Sequence, residues 1–138
     1  LRRPRQDESM AFTIDVWQGS SILVVTGTGT GSIEESERIL AALAQQQFVP
    51  TLSAVLFDVR RLEWVPTAEE GRSIAQRYAG FGSRFGCRMA YLAPPGAQYG
   101  IARMVELISE HRGVSAAAFT SLESAIAWLR GDVHAVGA

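Results

Sequence analysis

Ala54-Val55-Leu56-Phe57-Asp58-Val59 runs into Arg60-Arg61-Leu62-Glu63-Trp64-Val65, and then into Pro66-Thr67-Ala68-Glu69-Glu70. The first six residues are apolar apart from Asp58 and have the length expected of a strand buried on both faces. The next six read as a loop. Proline at Pro66 suits a helix start, and Thr67 with Glu70 has the spacing of a capping box, so a helix is expected to begin here. Ile74, Tyr78 and Phe81 supply its buried face, and Gly80, Gly82 and Gly86 are expected to end it. A buried strand followed by an amphipathic helix is the repeating unit of an α/β sheet.

The same alternation extends in both directions. Upstream, Met10, Phe12, Ile14 and Val16 alternate with Ala11, Thr13, Asp15 and Trp17, and Gln18-Gly19-Ser20 turns the chain into Ile22–Thr26. These two strands predict a hairpin. Ser32 to Gln46 reads as a helix with Ile33, Leu40, Leu43 and Ala44 on one face, closed before Pro50. Downstream, Cys87–Leu92 reads as a strand and Ala93-Pro94-Pro95-Gly96 as its exit. Ile101, Met104, Val105 and Ile108 fall at i, i+3, i+4 and i+7, the spacing of one helix face. Val114–Phe119 reads as a last strand. Thr120 with Glu123 is expected to cap a final helix carrying Leu122, Ala125, Ile126 and Leu129, which stops at Gly131.

The expected fold is therefore a single α/β domain of order β-β-α-β-α-β-α-β-α. Its five-stranded sheet is mixed but mostly parallel, with right-handed crossovers and one antiparallel hairpin at the edge. The expected domain spans 10–131, with a basic and polar N-terminal tail over 1–9 and a C-terminal tail over 132–138. Met10 fits a natural start.

Composition narrows the chemistry. The chain has 138 residues, 47% hydrophobic and 20% charged, with a formal net charge of -1. That balance offers no electrostatic reason to expect nucleic acid, and no apolar run is long enough for membrane insertion. All 13 cationic residues are arginine, so Schiff-base and P-loop lysines are excluded. The single cysteine, Cys87, excludes an internal disulfide and a cysteine-based zinc cage. It opens a strand, where a buried and inert thiol is expected. The start of the sequence lacks a secretory pattern, and a cytoplasmic setting is the expectation.

The glycine-rich stretch Gly27-Thr28-Gly29-Thr30-Gly31 poses the question of a phosphate cradle. Its G-x-G-x-G spacing departs from the dinucleotide fingerprint. The helix that follows carries Glu34, Glu35 and Glu37 near its positive end, and Ser32 with Glu35 can cap it. A tight connection between strand and helix is the preferred reading.

Other catalytic candidates are few. His111 closes a helical stripe and His134 lies in the expected tail, with no metal-binding spacing between them. No G-x-S-x-G elbow is present. Asp58, at the end of its strand, is expected to hold a loop or pair with Arg60 and Arg61. No cofactor or metal is expected.

The stretch Ala54–Ala68, the preceding hairpin and the closing Phe119-Thr120-Ser121-Leu122-Glu123-Ser124-Ala125-Ile126-Ala127-Trp128-Leu129 resemble the STAS or SpoIIAA-like family, the anti-sigma-factor-antagonist fold, over residues 12 to 130. The resemblance implies a regulatory module. Members that act as phosphorylation switches carry an Asp-Ser-Ser-Gly-like sequence where this chain has Pro66-Thr67-Ala68-Glu69, so only the Thr67 hydroxyl is retained. Thr67 as a plain helix cap is the preferred reading.

The functional expectation is a non-catalytic domain that works by binding a protein partner, a second copy of itself, or a small apolar ligand between sheet and helices. The expected site gathers Arg60, Arg61, Trp64 and Tyr99 where the strand-end loops converge. The alternative is a nucleotide- or anion-responsive regulator, or a phosphoacceptor, using Thr67, Asp58 and the Gly27–Gly31 turn.

Overall fold

The hairpin, the buried strand and its helix set the frame of a computed structural model that describes residues 12–18, 20–45 and 54–131. Both expected tails, Met10, Gln46, Pro50 and His134 lie outside the described residues. The strands are β1 (Phe12–Val16), β2 (Ile22–Gly29), β3 (Ala54–Leu62), β4 (Arg88–Leu92) and β5 (Ala116–Phe119). The helices are α1 (Ile33–Ala44), α2 (Ala68–Phe85), α3 (Ala97–His111) and α4 (Leu122–Leu129). The sheet order is β1-β2-β3-β4-β5, antiparallel between β1 and β2 and parallel elsewhere. The expected class and element order are what the chain adopts.

Alternation along the strands sorts the core into two layers. Leu23, Val25, Val55, Phe57, Met89 and Tyr91 face α1, α2 and α3, whereas Ile22, Ala54, Leu56, Ala90 and Leu92 face α4. Among the described residues, a single short helix thus covers the second face.

β3 is longer than expected and includes Arg60, Arg61 and Leu62. Thr26 pairs with Asp58 and Thr28 with Arg61, so Val59 and Arg60 together oppose Gly27 in a β-bulge. The extra residue resets the alternation, and Val59 and Leu62 both pack on the α1–α3 face. The broken period is why this segment reads as a loop.

Gly80 and Gly82 lie inside α2, which ends only at Gly86 in the left-handed conformation with φ 64°. A Cβ on Gly82 would stand 2.6 Å from Val114 Cγ1 and 2.7 Å from Met89 Cε. Close packing, not helix termination, accounts for that glycine. The cap of α4 is also one residue later than expected, because Ser121 Oγ accepts from Ser124 N–H at 3.3 Å. On α1, Ser36 and Ile39 are buried beside Leu43, while Ile33, Leu40 and Ala44 flank them. The most buried positions of α3 are Ala102, Val105 and Ser109, with Ile101, Met104 and Ile108 at their margins.

Candidate functional site

The carboxyl ends of β2 and β3 meet the starts of α2 and α3 at one rim, which four local devices hold in place. First, Asp58 and Arg60 form a clamp along β3. Arg60 Nε donates to Asp58 Oδ1 at 3.0 Å, Nη2 donates to Oδ2 at 2.9 Å, and the Arg60 backbone N–H donates to Oδ1 at 3.1 Å. These bonds hold the guanidinium pKa above its ordinary value. Arg60 is already engaged, whereas Arg61 is exposed and has no ion-pair partner among the described residues.

Second, the glycines admit bulky neighbours. A Cβ on Gly27 would lie 2.9 Å from Phe12 Cε1, and one on Gly31 would lie 3.2 Å from both Leu62 Cδ1 and Trp64 Cε3. Gly27 and Gly29 belong to β2, and Gly29 C=O accepts from Glu63 N–H at 2.8 Å. At the start of α1, Ser32 Oγ accepts from Glu35 N–H at 3.1 Å. This glycine stretch is therefore a packing surface for Phe12, Leu62 and Trp64.

Third, Thr67 caps α2 in a complete capping box. Its Oγ1 accepts from Glu70 N–H at 3.1 Å, and its own N–H donates to Glu70 Oε1 at 3.0 Å. Removing the box would fray the helix that carries Ile74 and Tyr78. Fourth, the Gln98 side chain on α3 donates from Nε2 to the Trp64 carbonyl and ties the rim loop to that helix.

Beneath Trp64 lies an apolar cavity of about 60 Å³, walled by Val59, Leu62, Trp64, Ile101, Ala102 and Val105. Its inner end is aromatic. Phe57 stacks on Tyr91 with centroids 4.8 Å apart, and Tyr78 meets Phe57 edge-on at 4.9 Å. The Tyr78 hydroxyl and Ser36 Oγ share a buried hydrogen bond of 2.9 Å, whereas the Tyr91 hydroxyl reaches only the Met89 thioether at 3.9 Å. Burial pushes the Tyr78 phenol up to about 12 and the Tyr91 phenol well above its ordinary value. Both rings are neutral at physiological pH, so the cavity suits an uncharged group.

Of the four expected site residues, Trp64 forms part of the cavity wall, Arg61 stands exposed on β3 and Arg60 is clamped to Asp58. Tyr99 packs half-buried against the core from the first turn of α3 and does not line the cavity. Gln98, beside it, makes the contact with Trp64. Sequence reading missed Gln98 and the cavity walls Leu62 and Ala102; only the i+3 and i+4 positions from Gln98 to Ile101 and Ala102 hinted at a shared face.

The remaining chemical candidates stand apart from this rim. Cys87 is buried and its thiol is pushed up to about 11 by burial. His111 is the last residue of α3, exposed at the helix carboxyl end. Among the described residues, no three His, Cys, Asp or Glu side chains gather to hold a metal, and no helix is long and apolar enough to cross a membrane.

No protein-family model matches the chain, and no curated protein is similar to it in sequence. Solved structures are similar in fold. The anti-sigma factor antagonist SpoIIAA in its unphosphorylated form superposes with a TM-score of 0.59 at 18% identity, covering 88% of this chain and 97% of that one. An anti-sigma factor antagonist from Mycobacterium paratuberculosis gives 0.55 at 18% identity, covering 89% and 96%. An uncharacterised DUF3478-family protein from Shewanella loihica PV-4, described as having a SpoIIAA-like fold, gives 0.55 at 18% identity over 86% and 92%. The superpositions cover most of each chain, and the fold of this protein is SpoIIAA-like.

Proposed function

We propose that this chain is a non-catalytic regulatory module that binds a protein partner at the rim of Arg60, Arg61, Trp64 and Tyr99, with one aliphatic side chain of the partner seated behind Trp64. The observation that carries the reading is the cavity itself. Its volume of about 60 Å³ is several times the roughly 10–15 Å³ that one water needs, which suits a short branched side chain better than a large ligand. Buried apolar anchors ringed by polar contacts are the usual source of binding energy at protein interfaces. Val65, 53% exposed, extends the apolar rim, and Arg61 supplies an exposed cation on the adjoining strand. Two of the similar folds are anti-sigma factor antagonists, which supports regulation by protein contact.

The test is a titration with N-acetyl-leucinamide as the anchor probe, followed by the methyl resonances of Ile74, Ile101 and Val105. Saturable shifts are expected in the native chain and their loss in Trp64→Ala; no shifts at millimolar probe would reject the anchor pocket. The competing phosphoacceptor reading uses the exposed Thr67 hydroxyl, but Glu69 and Glu70 in the first turn of α2 oppose an added phosphate. Intact mass after kinase treatment separates the two: an added phosphate on Thr67 would favour the latter.

A further inference from the structure

β1 and β5 are the two edges of the sheet, and they differ in how their outward backbone groups are treated. On β5, the carbonyls of Ser115 and Phe119 accept from Met89 and Ala93 on the β4 side, which turns Ala118 outward. Its N–H donates to Glu106 Oε1 at 3.0 Å, and Arg103 Nη1 holds the same oxygen at 3.0 Å. A helix-borne carboxylate thus blocks that edge.

β1 carries no comparable block. Trp17 N–H donates to Ile22 C=O, so the odd-numbered residues face β2 and Phe12, Ile14 and Val16 present their N–H and C=O groups outward. Among the described residues, no hydrogen bond engages those outward groups. The strand has no proline, bulge or basic residue, which are the common devices that discourage edge pairing. Val16 is 50% exposed although it lies on the apolar side of the alternation.

We infer that β1 pairs antiparallel with β1 of a second copy of this chain, about a two-fold axis at Ile14. The segment Phe12-Thr13-Ile14-Asp15-Val16 is complementary to itself in that register: Ile14 opposes Ile14, Phe12 opposes Val16 and Thr13 opposes Asp15. Both acidic side chains then face a hydroxyl. An in-register parallel arrangement would instead set Asp15 against Asp15, which is unfavourable. Thr13 and Asp15 would form close pairs without backbone bonds, where side chains approach most nearly. Thr13 and Asp15 are both exposed, so their substitution leaves the core untouched.

The test is sedimentation equilibrium of the full chain with Thr13→Asp and Thr13→Arg, the fold of each checked by circular dichroism. Thr13→Asp sets carboxylate against carboxylate twice per dimer and is expected to raise the dissociation constant about tenfold. Thr13→Arg sets guanidinium against Asp15 and is expected to lower it. Amide exchange at Ile14 and Val16 should also slow as the concentration of the native chain rises. A chain that stays monomeric to roughly millimolar concentration would overturn the inference. So would a dimer that both substitutions leave unchanged, because its contact would lie elsewhere. Neither result bears on the rim around Trp64.

Discussion

Phe57, Tyr78 and Tyr91 meet ring to ring on one face of the sheet, whereas Leu56, Ala90 and Leu92 on the other lie directly under Ala125, Ile126 and Leu129 of α4. Rigid rings under three helices leave an open cavity at the rim. On the other face, Phe119 and Trp128 meet at 5.8 Å beside small and aliphatic side chains, under a helix of only eight residues. The comparison teaches that coverage by three helices does not by itself close a face, because the cavity lies on the side that has them. The α1–α3 face is the one that carries the cavity proposed above as a binding site.

Substitutions on adjacent residues of β4 should separate the two faces. Leu92→Ala on the α4 face removes a fully buried side chain and is expected to cost about 3 kcal/mol in urea denaturation. A loss below about 1 kcal/mol would show that this face relaxes as readily as the other.

Alkaline pH should act next, and through the α1–α3 face alone. Tyr78, Tyr91 and Cys87 all belong to that layer, and burial raises each pKa in the folded chain. A raised pKa means that the folded state keeps its proton where the unfolded state has lost it. Their contribution is therefore complete below the unfolded values and is lost as pH rises through the folded ones. For Tyr78, that window runs from its ordinary 10.0 to about 12, and for Cys87 from 9.0 to about 11. Stability should be flat up to the thiol's ordinary range and then fall by several kcal/mol, about 1.4 kcal/mol per pH unit for each group, measured as the urea midpoint against pH. Tyr78→Phe and Cys87→Ala together should flatten part of that fall.

The two phenols on the same face should themselves differ. Ser36→Ala leaves the buried Tyr78 hydroxyl without its 2.9 Å partner and is expected to cost about 1–2 kcal/mol. Tyr91→Phe removes only a distant thioether contact and should change stability by less than about 0.5 kcal/mol. Equal costs would mean that the Tyr91 hydroxyl is bonded better than its 3.9 Å geometry indicates.

Much of this architecture is legible in the residues because local signals agree with it. The apolar run at Ala54–Val59, the capping box of Thr67 and Glu70, and the stripe Leu122, Ala125, Ile126 and Leu129 each have a period or spacing that belongs to one element type. Where reading failed, a partner distant in sequence decided the outcome. Gly82 looks like a helix stop until Met89 and Val114 are seen against it. The bulge at Val59 and Arg60 exists because β3 must keep pairing with Gly27–Gly29 while returning Leu62 to the core. Trp64 is legible as a bulky apolar residue of the rim through its type, but Gln98 carries no local mark that it will reach a carbonyl 34 positions away. The cavity was least accessible, since a void depends on the shapes of side chains from six elements and a loop.

The account centres on the void behind Trp64 as a place kept open for binding, and Ala102→Val tests it most directly. Two added methyl groups would enter a space of about 60 Å³ from the helix side. Thermal denaturation and the N-acetyl-leucinamide titration would be run on the same sample. The account predicts a chain more stable by about 1 kcal/mol at most, after the lower helix propensity of valine, that no longer takes up the probe. A folded variant with the cavity filled that binds the probe as the native chain does would contradict it.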